Sequence, residues 1–390
     1  MTQPLKSLKV LDFSTLLPGP YATLMMADMG ADVLRIESPT RPDLVRALPP
    51  MDVTGNSSAH SYLNRNKKAM ALDLKTPEAK TIIHNLISEY DVVVEQFRPG
   101  VMARLGLDYE TLKGINSKLI YCSITGYGQT GPLKDRAGHD INYLALSGVA
   151  DYSRRKGERP VPQGVQIADI AGGSHHAVMS VLAAVIERSQ TGQGQHLDIS
   201  MTDCAFSMNA MFASGYLGGG VEPEAEATML NGGSFYDYYE TSDGRYMSVG
   251  SLEPQFLMQL CDALEIKHLI GKAGSQKPED IDEFKQAIAD KMASQSFAYW
   301  TEVFAKLDCC VEPVLTFKEA SEQPQAHARN WLSQITVKEQ SLQQLSNPIY
   351  KATAINNTGG VIGSDTQTVL TEIGFSETEI DGLKQKKVIR

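Results

Sequence analysis

Apolar residues recur in two alternating rhythms over the first two hundred positions. "LKVLDF" (8–13) is a compact strand-like run, "YATLMMADMG" (21–30) is helical and closes on Gly30, and "ADVLRIE" (31–37) returns to strand, so the chain opens with a β-α-β unit. The rhythm then repeats: "MALDLK" is strand-like, Thr76 and Pro77 open a helix running to about Glu89, "DVVVEQF" is another strand, and "KLIYCSI" follows two short helical pieces. Such alternation predicts an α/β fold with a parallel sheet covered by helices on both faces. The first connection, "STLLPGP", has no G-x-G-x-x-G, so the predicted sheet lacks the dinucleotide phosphate fingerprint and a nicotinamide enzyme is set aside.

Further along, "HHAVMSVLAAVIERS" is a long apolar helix after Asp169, and "TGQGQHLDISM" returns to strand. The texture changes at 214–233, where a glycine run with scattered glutamates reads as a linker. "FYDYYETSDGRYMSVGSL" then reads as an aromatic hairpin turning at Asp243-Gly244, with amphipathic helices continuing to about residue 330. The division expected is a large domain over 1–213, the linker 214–233, a smaller α+β domain over 234–330, and a tail, 331–390, too small to fold alone and returning to the large domain.

A chain of 390 residues with 42% hydrophobic content can bury a large core, and its net charge of -10 disfavours nucleic acid or an anionic membrane as principal partner. Any anion site must therefore be a local basic pocket. Five cysteines, odd in number and without zinc spacing, indicate buried thiols in a reduced compartment and no metal centre. The N-terminus lacks the features of a signal peptide and no uninterrupted apolar run reaches membrane length, so a cytoplasmic protein is expected.

Three acid-base residues stand at expected helix starts: His139 in "GHDINYLALSG", Asp169 in "QIADIAGG" and Glu253 in "GSLEPQF". For the two acids, capping is as good an explanation as chemistry, since carboxylates suit the positive end of a helix. Asp140 also has that plain use. His139 has none, and a helix entrance disfavours imidazolium, leaving the neutral ring that serves as a general base. His175 and His176, in the first turn of the apolar helix, are better read as packing or capping residues. Among the basic residues, Lys75 precedes the Thr76-Pro77 helix start, where a cation and free N–H groups together make an anion site. Arg98 and Arg104 flank "RPGVMAR", while Arg65, Lys67 and Lys68 read, for at least one of them, as a solvated face.

In order along the chain, "LLPGPYATLMMADMGADVLRIE", "EQFRPGVMARLGL", "GYGQTGP", "GHDINYLALSG", "ADIAGG", "DGRYMSVGSLEPQF" and "CCVEPVLTFKEASEQPQAHARNW" resemble the class III CoA-transferase superfamily, and most of all its α-methylacyl-CoA racemases. The resemblance covers nearly the whole length. It implies a Rossmann-like large domain built from both chain ends, a small domain from the middle, and a homodimer of two interlocked chains. It also implies that His139 and Asp169 form the acid-base pair with Glu253 beside the histidine, and that Leu72, Lys75, Gln96, Phe97, Arg98, Arg104 and Tyr143 contact CoA. The main chain of Asp140 is the expected oxyanion donor. No cofactor is implied beyond the CoA of the thioester substrate. In the transferases the residue matching Asp169 is a nucleophile that forms acyl and thioester intermediates, so CoA transfer is the alternative, and a non-catalytic acyl-CoA binder a third reading. "LNGGSF" (230–235) is shorter than the transferases' glycine-rich loop and lacks its glutamine. Ser38 stands where several relatives carry a nucleotide-contacting arginine, and Arg41 is the candidate replacement.

Overall fold

The computed structural model describes residues 3–337, 339–350, 354–355 and 357–390. It divides into two compact units: residues 1–147, 163–207 and 324–390 form the first, and 148–162 with 208–323 the second. Residues 148–162, expected in the large domain, group with the second unit. The expected linker begins as helix, Ala210–Gly219, which ends on Gly220 in the left-handed conformation.

The first unit is built on six parallel strands: β1 (Lys9–Asp12), β2 (Asp32–Glu37), β3 (Lys68–Ala71), β4 (Val92–Glu95), β5 (Ile120–Thr125) and β6 (His196–Ser200). Their order is β3-β2-β1-β4-β5-β6. Strands β2 to β5 are buried almost throughout, as a sheet covered on both faces requires. The order in which strands are added reverses between β1 and β4, and the crevice outside the carboxyl ends of those two parallel strands is where open α/β sheets bind ligands. Helices α1 (Pro18–Asp28), α2 (Ser58–Leu63), α3 (Pro77–Ile87), α4 (Val101–Leu105) and α5 (Tyr109–Lys113) occupy the crossovers. Thr76 caps α3 by accepting the Ala79 N–H at 3.3 Å, with Pro77 at the first helical position, so the sequence signal at this start is realised.

The tail joins this unit through the β3 edge. Asp365 accepts the Ala69 N–H at 2.8 Å, Thr366 accepts the Ala71 N–H at 3.0 Å, and Leu72 bridges to Ile389. A hairpin of Leu332–Val337 against Gln340–Leu345, absent from the pattern reading, precedes it. Its polar, Gln-rich sequence carries little apolar alternation, which is why period counting passes over it.

Residues 168–191 form one continuous helix of 24 residues, apolar enough by length and composition to cross a bilayer. Its buried residues Ala177, Val178, Val181 and Ala184 belong to a stretch packed on α1, β5 and β6, the arrangement of a core helix. The sequence reading missed its length because "ADIAGGSH" is wound as a π-helix, Ala168–His175, before the α-helix His176–Thr191. In the second unit, Asp237–Glu240 pairs antiparallel with Tyr246–Val249 around Gly244 at φ 74°, and Val311–Pro313 adds a third strand. The hairpin was legible. All five cysteines are free thiols.

Of the three basic residues of which at least one was expected on a solvated face, one is there and two are core. Arg65 and Lys67 are buried, and only Lys68 of the trio has an exposed side chain, paired with Asp32. Arg65 is bound by Asp28 and the Leu345 carbonyl. The Lys67 ammonium donates to Thr23 Oγ1 at 2.7 Å, Pro20 O at 2.9 Å, Asp12 at 3.2 Å and Asn64 at 3.3 Å. Burial pulls its pKa down to about 8, opposed by Asp12. Burial alone would push the Asp12 carboxyl up, yet Lys67 and the hydroxyls of Ser14 and Thr23 hold it below the usual carboxylate range. This ion pair ties the end of β1 to the first turns of α1. Removing one partner strands the other charge in a dry site, so Lys67→Met should cost about 3–5 kcal/mol in urea unfolding. Adding Asp12→Asn should recover part of that loss, since the two residues share one network.

Candidate functional site

The site grows from a turn that only glycine permits. Tyr143, buried in helix α6 (Asp140–Leu146), donates its hydroxyl to the Gly138 carbonyl at 2.5 Å, and its ring meets Tyr127 edge-on at 5.3 Å. A Cβ at Gly138 or Gly126 would collide with the Tyr143 ring. The turn is thus clamped over the tyrosine, and His139 follows it as the N-cap of α6, in extended conformation and exposed. Asn142 Oδ1 accepts the His139 N–H at 3.0 Å, fixing the main chain at the helix entrance.

The second half of the site is the π-helical turn Ala168–His175. Asp169 lies inside this turn rather than capping it, and its own N–H donates to Asp140 Oδ1 at 3.1 Å. Asp140 therefore does not spend its carboxylate on its own helix; it joins two helix starts. The turn can sit close to its neighbours because Gly172 and Gly173 face the Met201 carbonyl and Pro18, where a Cβ would come within 3.1 and 3.0 Å. Ser174 adds a bond to the Pro18 carbonyl at 2.7 Å. One-turn π segments often mark functional sites, because they offset a side chain from the regular helical face.

Four groups meet electrostatically here. Partial burial raises the Asp169 pKa to about 6; the Asp140 carboxylate adds to the rise, and His139 opposes it. The same Asp169 and Asp140 charges, after burial, help to push the Tyr143 phenol up to about 12. Asp169, Asp140, His139 and Tyr143 thus share one small region, and Asp169 is a carboxyl that exchanges its proton near neutral pH. Asp169 lies in the first turn of the π-helix, and Glu253 is the N-cap of its helix without a side-chain capping bond, so both acids face the positive end of a helix. Glu253 belongs to the second unit, where it is exposed at the start of helix Pro254–Ala263.

The residues expected at CoA lie on the carboxyl edge of the parallel sheet. Lys75 is exposed just beyond β3. Gln96, Phe97 and Arg98 form the loop after β4, and Gly100 at φ 80° turns the chain into α4, which carries Arg104. Gln96 Oε1 accepts the Gly19 N–H at 2.9 Å, spanning the crevice between β4 and β1, and a side chain at Gly19 would overlap both Gln96 and Ser14. Beyond β2, Ser38 Oγ accepts the Arg41 N–H at 3.2 Å, leaving Arg41 exposed at the same edge. Leu72 is wholly buried, so only its main chain could meet a ligand. Glu95 was not singled out by the sequence reading, although a carboxylate closing an otherwise apolar strand, "DVVVE", is the signal that marks it.

The sequence profile of CoA-transferase family III matches residues 5–357. The chain belongs to CoA-transferase family III. Within the family it is 35% identical to the alpha-methylacyl-CoA racemase of Mus musculus, over 99% of this chain and 97% of that protein. It is 32% identical to the succinyl-CoA:glutarate CoA-transferase of Homo sapiens, over 83% of this chain and 74% of that protein. The crystal structure of a CAIB/BAIF family protein from Brucella suis matches with a TM-score of 0.82 at 29% identity, covering 96% of this chain and 100% of that one. Racemases and CoA-transferases both stand among the relatives of this family III chain, so similarity establishes an enzyme family acting on acyl-CoA and leaves the reaction to the site.

Because the Asp140 charge helps to raise the Asp169 pKa, neutralising it should lower that pKa. In Asp140→Asn the limb of the turnover profile that belongs to Asp169 should move from about pH 6 to lower pH. Steady-state rates between pH 4.5 and 8 measure it; an unmoved limb would separate Asp140 from the tuning of Asp169.

Proposed function

We propose that the protein racemises 2-methyl-branched acyl-CoA thioesters by 1,1-proton transfer through an enolate. The observation that carries this reading is a carboxyl with a pKa of about 6 placed within electrostatic reach of a histidine at a second helix start. A proton beside a thioester carbonyl is weakly acidic, so reversal of configuration needs two groups on opposite faces, one taking the proton and one returning it. His139 and Asp169 hold those places and share a single proton between them.

Proton transfer alone contributes roughly 10² to 10⁴-fold, too little for this carbon acid. The enolate oxygen must also be held. The N–H of Asp140, at the open end of α6, serves as that donor, and one such donor is worth roughly 2.7–4 kcal/mol in comparable sites. Glu253 orients the His139 ring. In this reading two chains interlock as a homodimer and each supplies its glutamate to the other's site, in the cytoplasm and with no cofactor beyond the CoA of the substrate. Lys75, Arg98 and Arg104 bind the CoA phosphates, Arg41 supplements them, and Leu72, Gln96, Phe97 and Tyr143 complete the CoA contacts.

A second reading, CoA transfer between carboxylic acids through an Asp169 acyl intermediate, is favoured by the transferases among the relatives. Isotope exchange separates the two. Separate R and S 2-methylacyl-CoA thioesters incubated in D2O should each gain deuterium at the α-carbon with the parent enzyme. His139→Ala and Asp169→Asn should each stop racemisation and suppress exchange of at least one enantiomer by two or more orders of magnitude. Absence of exchange in the parent, together with hydroxylamine trapping of an acyl group on Asp169, would replace racemisation by transfer.

A further inference from the structure

Beneath the loop that carries Gln96, Phe97 and Arg98 lies a buried acid that the proton-transfer chemistry does not use. Glu95, the last residue of β4, is 4% exposed, and its Oε2 accepts the Phe97 N–H at 2.8 Å. On β5, directly opposite Glu95, the Ser123 hydroxyl bonds the same carboxyl. Ser123 Oγ also lies 2.9 Å from His196 Nε2 at the start of β6. His196 as a residue is exposed, while its imidazole is partly covered, stacked on Tyr109 at 5.5 Å and met edge-on by Tyr121 at 5.3 Å. A row of three side chains thus runs from solvent to the base of the loop.

We propose that Glu95 is a positioning residue for the CoA-binding loop, holding it through the Phe97 N–H, and that Ser123 and His196 link its carboxyl to solvent so that the order of the loop follows pH. The proposal rests on the CoA-site reading above. With Glu95 ionised, His196 Nε2–H donates to Ser123, Ser123 donates to the carboxylate, and the Phe97 N–H makes a charge-assisted bond, roughly twice as strong as a neutral one. With Glu95 protonated, the row reverses: the carboxyl O–H donates to Ser123, and Ser123 donates to the neutral imidazole. Phe97 then keeps only a neutral bond. Since Gln96 is tied on its other side to the Gly19 N–H, slack at Phe97 is felt across the crevice.

The surroundings place this change in the physiological range. Burial raises the Glu95 pKa to about 7; Ser123 and the Phe97 N–H oppose the rise, and the charge of Asp198 adds to it. Burial likewise lowers the His196 pKa, while Asp198 and Glu110 pull it back. The other titratable neighbours are Tyr121 and Cys122 on β5, both pushed up chiefly by burial, with Asp108 acting on Tyr121 from the entrance of α5. Asp198 is occupied by the Gln129 N–H, at 2.9 and 3.1 Å.

The test is calorimetric binding of 3′-dephospho-CoA to the full-length protein from pH 5.5 to 8.5, a ligand chosen because a phosphate monoester titrates near pH 6 itself. The parent should bind roughly tenfold more tightly at pH 8.5 than at pH 5.5, with a midpoint near 7, the difference between a charge-assisted and a neutral bond. Glu95→Gln, which copies the protonated acid in shape, should bind at the parent's low-pH level throughout. Ser123→Ala removes a bond that favours the carboxylate, so its midpoint should move upward. Glu95→Gln retaining the parent's affinity and pH dependence would overturn the proposal; should that variant not fold, an unmoved midpoint in Ser123→Ala would do the same. A parent that binds no dephospho-CoA at any pH would instead overturn the CoA-site reading, and this proposal with it.

Discussion

The proposed chemistry depends on keeping one carboxyl, Asp169, partly out of water beside a second carboxylate. An aspartate in solvent is a poor proton donor at neutral pH, and removing water from it is what brings its pKa to about 6. That desolvation is a product of packing. Gly172 and Gly173 let the π-helical turn lie against Pro18 and the Met201 carbonyl, and the Asp169 N–H is anchored on Asp140. Space for the acid, its orientation and the neighbouring charge that tunes it therefore come from the same few contacts.

The remainder of the first unit serves two positions, the helix entrance at His139 and the crevice at the carboxyl ends of β1 and β4. A buried ion pair and a neutral hydrogen bond fix the second. Lys67 joins Asp12 at the end of β1 to the Pro20 carbonyl and Thr23 in α1, and Gln96 reaches from β4 to Gly19 at the start of the same helix. α1 also packs on the π-helical turn that carries Asp169. The Gln96 loop and the turn carrying Asp169 are thus fastened to one helix, the arrangement the proposed racemisation requires to present a thioester to a fixed acid.

Much of this was legible in the sequence. The parallel sheet, the Thr76 cap, the Asp243-Gly244 hairpin and the helix start at His139 each follow from local rules of period, capping and turn chemistry, which read only a few residues at a time. What escaped is non-local. The pattern expects at least one of Arg65, Lys67 and Lys68 on a solvated face without saying which, because the partners that bury Lys67 and Arg65, Asp12 and Asp28, lie 55 and 37 residues away. The particular N–H that the Asp140 carboxylate accepts escaped for the same reason: Asp140 stands in the first turn of its own helix, but its partner is Asp169, 29 residues on. The π-helix escaped because "ADIAGGSH" holds two glycines that count against helix in any propensity scale, and only the crowding at Pro18 and Met201 explains them.

The account turns on the ionisation of one side chain, so the most direct measurement is the titration of the Asp169 carboxyl itself, followed by 13C NMR of aspartate-labelled protein and identified by its loss in Asp169→Asn. The account predicts half-titration near pH 6 in the parent, and a higher midpoint in His139→Ala, where the imidazole no longer opposes the rise. A midpoint near the 3.8 of an ordinary aspartate, indifferent to His139, would contradict it.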